Sequence, residues 1–200
     1  MRVFICFLLF KCYFFAAPVA YAQEDSEDVS ALFDDGGFSN SKNVIKFNIL
    51  SVYVGDIAFF YERAFGDKFS IEIGGGPLMN YYNPEFFGLY AGMDAPEIVD
   101  PSGGYSIWVN PRIYFHGAPL NLYTGIQYRR RHYFQTSAND IIFNDIAYNA
   151  GVQLDIWGRV ILDYNVGVGV RLFEPENQFS ARSLGSHFIL PITLKLGYLF

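Results

Sequence analysis

Eight stretches between Asn43 and Phe200 place apolar side chains at every second position, with polar, small or charged residues between them. They are "NVIKFNILSVY", "DIAFFYER", "KFSIEIG", "YSIWVNPRIYF", "NLYTGIQYR", "IAYNAGVQLDIW", "VILDYNVGVGVRL" and "SHFILPITLKLGYLF". Successive side chains of a strand point to opposite faces, so a period of two means strands with one apolar face and one polar face. In the seventh stretch Val160, Leu162, Tyr164, Val166, Val168, Val170 and Leu172 stand against Asp163, Asn165, Gly167, Gly169 and Arg171. In the last, Phe188, Leu190, Ile192, Leu194, Leu196, Tyr198 and Phe200 form one apolar row. Such rows must meet either the rest of the chain or lipid.

The connectors alternate too. "AFGDK", "HGAP" and "WGR" are short and turn-like. The links 77–104, 130–144 and 173–185 are longer, and a shorter one lies around 54–56. Short turns at one end and long loops at the other are the layout of a transmembrane β-barrel. The polar row separates this from a water-soluble barrel, which buries its apolar row. Gly, Asn and charges suit a crowded interior, and the aliphatic row suits lipid. Tyr53, Tyr61, Tyr105, Phe115, Tyr128 and Tyr198, near strand ends, suit interfacial girdles. Pro111 and Pro191 each remove a ladder hydrogen bond and belong at a strand end or bulge. The fold expected is all-β: an eight-stranded antiparallel transmembrane up-and-down barrel over residues 43–200.

The segment before the barrel fits export. Residues 1–22, "MRVFICFLLFKCYFFAAPVAYA", have a basic start, an apolar stretch interrupted by Lys11, and a small-x-small site at Ala20-Tyr21-Ala22, the layout of a cleaved signal peptide. Cleavage removes Cys6 and Cys12, so the mature chain has neither disulfides nor thiolate metal ligands. Residues 23–42 carry six acidic residues and read as a flexible acidic periplasmic segment. Taking Arg2 and Lys11 from the 14 basic residues leaves 12 against 20 acidic, a formal charge of −8, which argues against nucleic-acid binding. The 19% aromatic content is high for a soluble chain.

The polar row supplies a candidate charge network inside the barrel: Lys46, Arg112, Arg129, Arg171 and Lys195 with Glu62, Glu72, Asp155 and Asp163. Five positive and four negative charges nearly cancel, and an eight-stranded interior is filled by side chains. A salt-bridged plug is the plainer reading, and a proton or ion path the functional one. At the loop end, Arg129, Arg130, Arg131 and His132 either grip lipopolysaccharide phosphates or form a solvated loop edge. The long loop 77–104, with Phe86, Phe87, Leu89 and Tyr90, is expected to fold over the barrel mouth as a lid or to meet a partner or glycan.

An enzyme of the lipid-A hydrolase or acyltransferase type needs a nucleophile and a base within hydrogen-bond reach. His187 could meet Glu174 or Glu176, with Ser183 or Ser186 nearby, but alternation puts Ser186 and His187 on opposite faces. No catalytic, cofactor or metal site is assigned.

The stretch 43–200 resembles the small outer-membrane β-barrel proteins of Bacteroidota, a family of unknown function. "NVIKFNIL", "FFYERAFGDKFSIEIG" and "VNPRIYF…LYTGIQYRRRHYF" carry the likeness. The last strand, with Leu196, Tyr198 and Phe200, is similar to the C-terminal assembly signal of bacterial outer-membrane barrels. The resemblance implies an outer-membrane location, contact with lipid and lipopolysaccharide, and engagement of the barrel-assembly machinery. The expected role is structural or interaction-based, as envelope scaffold, docking site for an envelope protein or minor channel, with no large open pore. Deletion of Phe200 is expected to affect insertion in cells more than folding in detergent.

Overall fold

The computed structural model describes residues 42–80, 101–136, 140–175 and 185–200. The proposed signal peptide, almost all of the acidic segment and the centre of the long loop lie outside the described residues. Among the described residues nine strands are formed: β1 (Asn43–Asn48), β2 (Phe59–Phe65), β3 (Phe69–Leu78), β4 (Pro101–Tyr114), β5 (Asn121–Gln135), β6 (Ile141–Trp157), β7 (Val160–Pro175), β8 (Gly185–Ile189) and β9 (Ile192–Leu199). A short helix, α1 (Ile49–Tyr53), follows β1.

Every neighbouring pair is antiparallel, and the sheet closes through β1–β9. β8 and β9 are two halves of one span. Both pair with β7 in one continuous register, from Gly169↔Ile189 to Val166↔Ile192. Pro191 interrupts the strand because it has no N–H to donate, although its carbonyl still accepts from Gly167 N at 2.8 Å. The result is a closed eight-stranded barrel. Pro111 is milder. It stays opposite Ile71 of β3, while the β4–β5 ladder skips from Val109↔Tyr128 to Arg112↔Gly125.

The chain turns sharply at one end of the barrel. Gly66 and Gly158 sit there at φ 76° and 63°, a left-handed conformation that glycine adopts at little cost. The barrel's first and last residues meet at the same end, where Phe200 N donates to Asn43 O at 2.9 Å. The connection between β5 and β6 is shorter than the sequence suggests. The ladder runs to Tyr133↔Ile141, so most of 130–144 is strand rather than loop. Three consecutive arginines hide the alternation there, but Arg131 and Tyr133 continue the buried row of β5.

Burial follows the period of two, with polarity reversed from that of a water-soluble protein. Lys46, Glu62, Glu72, Arg112, Asp163 and Lys195 are buried, whereas Ile45, Phe59, Ile73, Ile126, Val168 and Leu196 are exposed. Each of the eight spans contributes both kinds. Among the described residues no helix is long and apolar enough to cross a membrane.

Candidate functional site

The buried charges form two layers. In the layer nearer the turn end, the Lys46 ammonium on β1 sits at the centre. It donates to Glu72 at 2.8 Å, Asp163 at 2.7 Å and Gln153 at 2.6 Å, and also to Glu62. Arg112 on β4 reaches the same three carboxylates, Glu62 at 3.1 Å, Glu72 at 2.5 Å and Asp163 at 2.8 Å. Lys195 on β9 pairs with Glu72 at 2.5 Å. The hydroxyls of Tyr114 and Tyr123 donate to Glu62 and Asp163, each at 2.6 Å. All eight spans therefore meet in one network of three cations and three carboxylates.

A buried charge is costly unless it is both paired and hydrogen-bonded. Here the remaining lone pairs are largely taken: Ser70 Oγ donates to Glu62 at 2.5 Å. The cations also lie against aromatic faces, Arg112 over Tyr123 at 4.2 Å and Lys195 over Phe60 at 4.1 Å. Glu62, Glu72 and Asp163 have oxygens close enough together to hold a metal ion. The Lys46 ammonium already stands among those oxygens, so the trio reads as the cradle of a lysine rather than a metal site.

The layer nearer the long-loop end is built on one carboxylate. Asp145 on β6 accepts from Arg129 at 2.6 Å, Arg131 at 3.2 Å and Arg171 at 2.7 Å. Trp108 lies under Arg129 at 4.6 Å, and Phe143 faces Arg131 and Arg171 at 5.5 and 5.3 Å. Asp56, in the α1–β2 connection, accepts from Ser106 Oγ at 2.7 Å. Burial pushes its carboxyl above the usual range, against the opposing pull of the Ser106 hydrogen bond and of Arg129 and Arg131. Among the described residues three arginines thus face two carboxylates, an excess of positive charge.

Of the sequence candidates, Lys46, Glu62, Glu72, Arg112, Asp163 and Lys195 come together in the first layer, and Arg129 and Arg171 in the second. Asp155 does not join them. It is exposed beside the Gly158 turn, where β6 slips register between Asp155 and Trp157 and the row leaves the packed interior. The proposed lipopolysaccharide cluster divides by the same alternation. Arg129 and Arg131 are buried inside, whereas Arg130 and His132 lie on the outer row. His132 pairs with Asp140 at 3.0 Å.

Asp145, Gln153, Tyr114 and Tyr123 are members of the buried network that the sequence does not single out, and Arg131, expected at a lipopolysaccharide contact, belongs to the second layer instead. Asp145 is in phase with Asn149 and Gln153, so extending that strand one residue upstream would have found it. His187 is buried and Ser186 exposed, on opposite faces of β8. Glu176 and Ser183 lie outside the described residues. Leu196, Tyr198 and Phe200 are all exposed on one outer row.

Comparison with family models, with curated proteins and with solved structures returns no match.

Proposed function

We propose that the chain is an integral outer-membrane barrel with a structural or interaction role: a rigid, plugged cylinder that holds its long-loop end at the cell surface. The observation that carries this reading is the reversal of polarity. Apolar side chains on every span face outward, and buried charges to which every span contributes fill the interior. In water that outer surface would be an aggregation hazard, and in lipid it is the stable arrangement. The interior supports a scaffold better than a conduit, because Arg112 and Lys46 cross the lumen and are held by several partners each. Arg130 and His132 on the outer row are placed to meet anionic headgroups of lipopolysaccharide.

Two measurements test the reading. Fractionation of expressing cells should place the full-length protein with outer-membrane markers as a heat-modifiable band. Purified, refolded protein in planar bilayers should give no large, stable conductance. Recovery in the soluble fraction would overturn the membrane assignment, and porin-like current steps would overturn the plug.

A further inference from the structure

The barrel wall has a break. β1 pairs with the last span only as far as Asn48↔Lys195. Above that point the last span continues through Pro191 to Gly185, laddered to β7. The chain on the other side leaves the sheet as α1, held by its own turn: Asn48 Oδ1 accepts from Ser51 N at 3.3 Å, and Ser51 Oγ donates to Asp56 O at 2.6 Å. A short helix thus stands where a strand would close the wall.

A cavity of about 310 Å³ runs through this break. Its outer part is apolar, lined by Leu50 and Tyr53 of α1 and by Leu190 and Ile192 beside Pro191. Leu50 and Tyr53 are exposed on the surface that carries the apolar belt. The inner part is polar and aromatic, lined by Asn48, Trp108, Arg129 and Thr193. Thr193 is 2% exposed, yet its hydroxyl finds no hydrogen-bond partner among the described residues. Such a group is costly to leave dry and unpaired. The layer behind it, with Arg129, Arg131 and Arg171, carries the excess positive charge.

We propose that the break is a lateral binding site for a single-chain anionic amphiphile of the fatty-acid type, taken sideways from the surrounding lipid. The acyl chain lies between α1 and the Pro191 segment, and the carboxylate reaches Thr193 Oγ1 and the Arg129 guanidinium. The apolar-to-cationic gradient sets the orientation. The volume, at the lower end of the roughly 300–1,000 Å³ of small-molecule sites, admits one chain rather than a two-chain lipid. The inference rests on the lipid-facing reading of the belt. That reading is scored first, by the heat-modifiable band in vesicles, so its failure is distinct from failure of the site.

Trp108 gives a direct readout, because the only other tryptophan, Trp157, is 85% exposed at the turn end. In a Trp157→Phe chain refolded into vesicles, a dibrominated C18 carboxylate should quench the fluorescence saturably. The matching brominated alcohol and a brominated short-chain carboxylate should bind at least about tenfold more weakly, the scale of one charge-assisted hydrogen bond. Thr193→Val, which keeps the shape and removes the hydroxyl, should weaken binding by a similar factor. Leu190→Phe, which fills the outer part, should abolish saturation while leaving the refolded fraction unchanged. The proposal is overturned by absent or non-saturable quenching, by equal affinity for the alcohol or the short anion, or by equal affinity in either variant.

Discussion

Lys46 shows what a single side chain does in this barrel. Its ammonium, like the Arg112 guanidinium, is bonded to all three carboxylates of the lower layer and to Gln153. Lys46→Met leaves Glu62, Glu72 and Asp163 facing two cations, and removal of one partner from a buried ion network costs about 3–5 kcal/mol. Adding Glu62→Gln restores the balance and should recover part of that loss. Urea titration of refolding into vesicles measures both, and equal losses in the single and double variants would show that charge balance is not what holds the layer. Asp56 carries the opposite sign. Its folded-state carboxyl titrates higher than in the unfolded chain, so its ionised form weighs against folding at neutral pH and is relieved as pH falls through the raised value. Asp56→Asn should therefore stabilise the barrel at pH 8, with the gain shrinking toward pH 4. A gain independent of pH would count against a titrating Asp56. The sequence exposed most of this chemistry because period two assigns each charge a face. It hid Asp145 because the alternation was traced from Ile146, and it misplaced Asp155 because a register slip beside a turn leaves no local signature.

At the scale of the element, strand identity was legible wherever the two rows differ strongly in polarity, as in β7 and β9. It failed where they do not. "RRRHYF" is polar on both faces and reads as loop, yet the ladder from Arg129↔Asp145 to Tyr133↔Ile141 continues through it. Arg130 and Arg131 there meet different surroundings for no reason beyond their parity. The helix α1 was also invisible. "ILSVY" continues the alternation of β1, and only the Asn48 cap and the hydrogen bonds of Ser51 turn it. The outer rows yield a depth-dependent prediction. Val168→Arg, in the tall middle of β7 opposite Tyr148, should cost about 2–4 kcal/mol in a bilayer, and Trp157→Arg beside the turn about 0–1 kcal/mol. Refolding yields against urea in lipid vesicles compare them, and equal costs at the two depths would contradict the lipid-facing belt.

The barrel wall is uneven in height. β6 has 17 residues and β7 has 16, whereas β1 has 6 and β2 has 7. A tilted transmembrane strand needs about 9–11 residues to cross an apolar band some 25 Å tall. The β4–β7 side exceeds that requirement, and the β1 side falls short of it with strand alone. In the proposed bilayer setting α1 makes up the shortfall, because its Ile49, Leu50 and Tyr53 are exposed and extend the apolar surface above Phe47 and Phe59. If α1 completes the belt, polar substitutions on its outer side must carry a bilayer cost although they lie in no strand. Ile49→Asn and Leu50→Asn should each destabilise the barrel by roughly 1 kcal/mol, part of the 1.5–3 kcal/mol attached to a fully buried side chain of that size. The loss should grow in vesicles of longer-chain lipids, where the apolar band is taller and the short side is stretched further. In detergent micelles, which adapt their thickness to the protein, it should shrink. A cost that is the same in short-chain vesicles, long-chain vesicles and micelles would place α1 outside the apolar band and leave the β1 side of the belt incomplete.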